Sequence, residues 1–139
     1  MSRAIKLPPV DYVIREHKRL IDLYGGHAGV RDPGAVEAAL GRAGHLIAYE
    51  NPSLFEIVAR ITHGLATTQC FIDGNKRIAF AVMSQTLRVN GYTLDVTEED
   101  AYQIMMRLAR GELNADDLAH WMEDQFTLQR SVYARQSRD

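Results

Sequence analysis

Gln69-Cys70-Phe71-Ile72-Asp73-Gly74-Asn75-Lys76-Arg77 places an acid, a glycine turn, an amide and two cations directly ahead of an apolar-periodic run that reads as a helix. The first N–H groups of a helix have no intrahelical partner and the macrodipole adds partial positive charge, so anions settle at such a start. Gly74 lacks a Cβ and can adopt φ > 0, which brings backbone donors close to phosphate oxygens. Asn75 can cap the helix or fix the loop. Lys76 supplies a mobile point charge and Arg77 a planar fork for bidentate phosphate contact. Asp73 would repel a bare phosphate, but it belongs there if Mg²⁺ lies between the two. The loop thus reads as a site for a metal-bound nucleotide, with Asp73 on the metal and Gly74, Asn75, Lys76 and Arg77 on phosphate. The same residues also fit an ordinary Asp-Gly-Asn turn followed by a solvated first helical turn.

Helical periodicity extends from this loop in both directions. Val10, Val13, Ile14, His17, Leu20, Ile21 and Tyr24 share one face, and Gly25-Gly26 stops the pattern. Asp32-Pro33 supplies an N-cap and a first-turn proline for a second helix through Val36, Ala39 and Leu40. Ser53 and Glu56 form a capping box for a third, which buries Leu54, Ile57, Val58, Ile61 and Leu65 and ends near Gln69. After the loop, Ile78, Ala79, Val82, Thr86 and Val89 carry a fourth helix as far as Asn90-Gly91. Tyr92 to Val96 fits a short strand with no evident partner. Thr97 caps a fifth helix through Tyr102, Ile104, Met105 and Leu108, closed by Gly111, and Asn114 opens a sixth through Leu118, Trp121, Met122 and Phe126. These elements predict an all-α fold, a compact bundle of about six helices with the motif loop between the third and fourth. Residues 1–128 are expected to form a single domain, and residues 129–139 a polar, Arg-rich, disordered tail.

A chain of 139 residues can bury a core without disulfides or structural metal. Its 46% hydrophobic and 24% charged residues are those of a soluble globular protein. Sixteen Lys+Arg against 18 Asp+Glu leave a net charge of −2, which offers no field for nucleic acid or an anionic membrane. A single cysteine, Cys70, excludes an internal disulfide, and no signal peptide or membrane-spanning run is read. A cytoplasmic location is expected.

With the loop set between two helices, the pattern resembles the Fic/Doc superfamily, and most closely the Doc (death on curing) toxins of bacterial toxin–antitoxin modules. The family's loop reads His-x-Phe-x-Asp/Glu-Gly/Ala-Asn-Gly/Lys-Arg, and Phe71, Asp73, Gly74, Asn75, Lys76 and Arg77 match it in register. The stretch from Tyr24 to Gly34 and that from Leu87 to Tyr92 also resemble the Doc pattern, so the likeness covers about residues 10 to 125. AMP-transferring Fic enzymes usually carry glycine where Lys76 stands and a second arginine where Phe80 stands. Both differences point to the Doc branch, in which ATP binds reversed and the γ-phosphoryl is transferred. The resemblance implies Mg²⁺ and ATP as cofactors, a hydroxyl of elongation factor Tu as target, and a separate Phd-like antitoxin as partner. It also implies catalytic roles for position 69, Asp73, Lys76 and Arg77, with Asp73 holding Mg²⁺, Lys76 and Arg77 neutralising transition-state charge, and Phe71 anchoring the loop.

The family's first motif residue, a histidine acting as general base, is Gln69 here. A carboxamide can orient a hydroxyl but has no useful basicity near neutral pH, and general base catalysis typically contributes about 10²–10⁴-fold. A catalytically impaired protein is expected, whether Gln69 is natural or was introduced so that a lethal protein could be produced. His63 stands on the wrong side of its helix to substitute, and His17, His27, His45 and His120 show no paired ligand spacing. Cys70 reads as a small packing residue rather than a nucleophile, since no base adjoins it.

Two other functions compete with the phosphotransferase reading. The chain could be a pseudoenzyme whose working feature is a groove for an antitoxin segment or a site that merely holds nucleotide, or it could be an AMP-transferring enzyme. Self-inhibition in Fic proteins uses Ser/Thr four residues before a Glu that precedes Gly or Asn; Glu50-Asn51 is preceded at that spacing by Leu46. Restraint is therefore expected from a separate chain.

Overall fold

In the computed structural model, backbone is described for residues 5–136 and side chains for residues 5–125. The fold is all-α. Its helices are α1 (Val10–Tyr24), α2 (Pro33–Tyr49), α3 (Leu54–Thr67), α4 (Asn75–Val89), α5 (Glu98–Ala109) and α6 (Ala115–Gln136). Each start has a local chemical cause. Asp32 accepts from the Ala35 N–H at the head of α2, Ser53 Oγ from the Glu56 N–H at α3, and Thr97 from the Asp100 N–H at α5. At α6, Asn114 Oδ1 accepts from the Asp117 N–H at 2.8 Å while Asp117 Oδ2 accepts from the Asn114 N–H at 3.2 Å. This reciprocal pair is the capping-box geometry. Helix α1 has Pro9 at its N-cap, and α4 has Gly74; neither carries a side-chain cap.

Helix α3 is the axis of the bundle, because it is apolar on nearly every side. Ile57, Val58, Ala59, Ile61, Thr62, Gly64, Leu65 and Ala66 are all buried, and α2, α4, α5 and α6 pack around it. Thr62, the polar member, is satisfied by donating to the Val58 carbonyl at 2.7 Å. Gly64 lets α2 approach: a Cβ there would sit 2.8 Å from Ala39 Cβ. Helix α1 lies outside this group, against α4 and α2. Glu16 of α1, buried, pairs with Arg19 and accepts from Gln85 of α4 at 3.1 Å, which fixes the register of the two helices.

The structure departs from the sequence expectations at two places. Residues 92–96 form irregular chain rather than a strand. Helix α4 ends in a left-handed turn at Gly91 (φ 92°), with the Tyr92 N–H bonded to the Leu87 carbonyl at 2.9 Å. The Tyr92 ring then meets Phe55 edge-on at 5.7 Å, so side-chain packing holds this segment where a partnerless strand was expected. Tyr24, Val89 and Tyr102, placed on apolar faces by periodicity, are 65%, 55% and 56% exposed. Helix α6 runs as backbone to Gln136. The expected tail of residues 129–139 and the packing of Phe126 lie outside the residues whose side chains are described. No described helix is long and apolar enough to cross a membrane.

Candidate functional site

The loop between α3 and α4 is built on a buried floor. Cys70 and Phe71 are fully buried, and the Cys70 carbonyl accepts from the N–H groups of Arg31 and Asp32 at 2.9 and 3.0 Å. Val30 and Phe71 form an antiparallel bridge, extended by the Ile72 N–H to the Gly29 carbonyl at 3.1 Å. The segment after α1 therefore lies along the motif. Burial of both residues also settles Cys70 as packing, with its sulfur 3.2 Å from Thr68 Oγ1.

Gln69 leaves this floor toward solvent. Its φ is 53°, a value found in no other non-glycine residue among those described. A left-handed backbone costs a non-glycine residue roughly 1–2 kcal/mol, and such strain persists only where neighbours over-determine it. Here the neighbours are the paired and buried Cys70 and Phe71.

Asn75 fixes the loop rather than capping the helix. Its Oδ1 accepts from the Phe71 N–H and its Nδ2 donates to the Phe71 carbonyl, both at 3.0 Å. The cap position falls to Gly74 (φ 74°, ψ 21°), as the glycine predicted; a Cβ there would meet Ile21 Cδ1 at 3.2 Å. The first intrahelical bond is Ile78 N–H to the Gly74 carbonyl at 3.0 Å, so the N–H groups of Asn75, Lys76 and Arg77 precede it. Exposed Lys76 and Arg77 share that turn, and among the described residues neither pairs with a carboxylate. Arg77 is steadied by Tyr24, its guanidinium carbon 4.7 Å from the ring centroid. This explains why Tyr24 left the apolar face.

Asp73 completes the group. Its Oδ2 accepts from the His27 N–H at 3.2 Å and its Oδ1 from the Gly74 N–H at 2.8 Å. Gly26 permits the approach, since a Cβ there would lie 2.8 Å from Asp73 Oδ2. The bond from the His27 N–H holds the carboxyl below its ordinary range, followed by that from Gly74, with the charges of His27 and Arg77 adding to them. Among the described residues no three His, Cys, Asp or Glu side chains converge on a metal position. A carboxylate held below its ordinary range beside a helix start that carries two cations has the chemistry that would suit Mg²⁺, which usually binds through one or two carboxylates plus substrate phosphates and keeps its waters.

Sequence reasoning missed two contributors. His17 of α1, read as one member of an apolar face, is buried beneath the loop and bonds the Asp73 carbonyl through Nε2 at 2.7 Å. His27 contributes its amide rather than its ring. A polar residue in an apolar helical run was the available signal for His17, because a buried imidazole needs a partner. His63 is half-buried on α3, where burial first and then the charges of Arg42 and Arg60 push its pKa down. Among the described residues no hydrogen bond joins its ring to the loop. A cleft of about 280 Å³ lined by Arg42, His45, Leu46, Tyr49, Glu50 and Arg60 lies apart from the motif.

The helical bundle thus presents a glycine-initiated helix start, a tethered carboxylate and two cations that pair with no carboxylate among the described residues. The Fic/DOC family profile matches residues 7–87, from the approach to α1 through most of α4, and the chain belongs to that family. Two relatives place it among Doc-like members. "Protein kinase doc" of Escherichia phage P1 is 35% identical over 108 residues, covering 77% of this chain and 85% of the relative. "Toxin Doc" of Mycolicibacterium smegmatis is 32% identical over 102 residues, covering 69% of this chain and 77% of the relative.

Proposed function

We propose that this Doc-like chain is the toxin of a toxin–antitoxin module and a phosphotransferase scaffold, one that moves the γ-phosphoryl of ATP to a hydroxyl of elongation factor Tu in the cytoplasm and is slowed by Gln69. The observation that carries the reading is the pairing of a backbone-clamped, ionised Asp73 with the uncapped start of α4 bearing Lys76 and Arg77.

In such a transfer the acceptor oxygen bonds to the γ-phosphorus, the bond to the β-phosphate oxygen breaks, and the hydroxyl proton departs with ADP as the other product. Mg²⁺, when bound, would be held by Asp73 together with phosphate oxygens and would neutralise part of the phosphate charge. Lys76 and Arg77 supply positive charge where it grows on the phosphoryl oxygens, at a helix start already biased the same way. Gln69 can orient the hydroxyl by a hydrogen bond but cannot take its proton, which must pass to solvent or phosphate.

Phosphoryl rather than adenylyl transfer is supported by Lys76 at the helix start and by Phe80, which packs on the core instead of extending a second cation toward the anion. Restraint by a Phd-like antitoxin, folding onto the surface as a helix in a groove, is supported by the kinship with Doc and by the absence of a self-inhibitory Ser/Thr before Glu50. Gln69 itself favours a second reading, a pseudoenzyme that binds nucleotide or antitoxin without turnover.

Gln69→His separates the two. Histidine tolerates the left-handed backbone better than most residues, so the substitution suits the loop. Transfer of label from γ-labelled ATP to elongation factor Tu should rise by about 10²–10⁴-fold. Label arriving only from α-labelled ATP would contradict the Doc-branch chemistry, and no transfer from either would favour the pseudoenzyme.

A further inference from the structure

We propose that His17 is a positioning residue for Asp73: by donating its Nε2 hydrogen to the Asp73 carbonyl it fixes the Asp73–Gly74 peptide plane, whose N–H in turn aims the carboxylate. The geometry is specific. His17 is 3% exposed, its ring lies flat on Phe71 with centroids 3.8 Å apart and planes 10° apart, and Nε2 is 2.7 Å from the Asp73 oxygen. A carbonyl only accepts, so Nε2 carries the hydrogen.

The Asp73 carbonyl and the Gly74 N–H belong to one planar peptide unit. The same Gly74 N–H donates to Asp73 Oδ1 at 2.8 Å. Rotation of that plane would therefore break the hold on Oδ1 and loosen the approach of Oδ2 to the His27 N–H. Asn75 does not prevent this, because both its bonds go to Phe71. The ring also stands under Gly74, where a Cβ would come within 3.6 Å of Nε2. Helix α1 delivers His17 to this height because the preceding residue, Glu16, is tied to Gln85 of α4. Two successive residues of α1 thus set the helix register and the loop plane.

The consequence for nucleotide binding rests on the reading of Asp73 given above; the positioning itself does not. His17→Phe keeps a ring against Phe71 and removes the donor, while His17→Gln keeps an N–H donor at similar reach and removes the ring. His17→Leu serves the same comparison should phenylalanine overpack the site. Amide hydrogen exchange at Gly74 and His27, followed by NMR in the full chain, should quicken about 3–10-fold in His17→Phe. It should stay close to that of the unsubstituted protein in His17→Gln. Titration with Mg·ATP should show a loss of affinity of about the same factor, again rescued by glutamine. Equal behaviour of the phenylalanine and glutamine variants would overturn the assignment, as would faster exchange spread evenly along α1 and α4, the mark of a general packing defect. If the unsubstituted chain gives no Mg·ATP heat, the nucleotide reading fails, and the exchange comparison still decides the role of His17.

Discussion

Gln69 joins an unfavourable backbone angle to an unreactive side chain in one residue. Its φ of 53° suits glycine far better than a branched side chain. Gln69→Val should be less stable than Gln69→Gly by about 2 kcal/mol in urea denaturation, summing the left-handed penalty and β-branching; equal stabilities would show that the loop does not impose this angle. Glu16 makes a second residue-scale prediction. Its bond from Arg19, and then that from Gln85, depress its folded pKa against the opposing effect of burial. A depressed carboxyl stabilises the fold fully above its unfolded value, about 4.3, and that contribution is lost as pH falls through the lower folded value. Glu16→Gln should therefore flatten the loss of stability between about pH 5 and about pH 3. An unchanged acid limb in urea titrations would remove Glu16 as its cause.

Among the elements, α2 and α3 are joined most tightly where Gly64 faces Ala39. A Cβ at Gly64 would sit 2.8 Å from Ala39 Cβ and 3.2 Å from its Cα, and backbone cannot swing aside as a long side chain can. Gly64→Ala should cost about 1–3 kcal/mol by overpacking, more than the gain in helix propensity returns, and a neutral or stabilising result would mean the helices separate easily. Helix starts were legible in sequence because caps are local: Asp32, Ser53, Thr97 and Asn114 each act within three residues of themselves. The Gly74 turn and the Asp73–Arg77 grouping were legible for the same reason. The segment 92–96 is irregular although its composition favours extended structure, because a strand needs a partner to pair with and here Phe55 takes Tyr92 instead. His17 under Phe71, the His27 amide on Asp73 and Tyr24 under Arg77 join residues at least 46 positions apart in chain order. No local period encodes such contacts.

At the scale of the molecule, a net charge of −2 gives no long-range attraction for polyanions, so any phosphate affinity must come from the local field at the head of α4. The Fic/DOC match ends at residue 87, just short of the end of α4, and so takes in the loop together with His17, Tyr24 and His27, which contact it. The most direct measurement is calorimetric titration of Mg·ATP into the full chain and into Asp73→Ala, with and without a chelator. Binding to the unsubstituted chain should fall by at least about tenfold, roughly 1.4 kcal/mol, on losing either the metal or Asp73. Binding indifferent to both, or no binding to the unsubstituted chain at all, would contradict it.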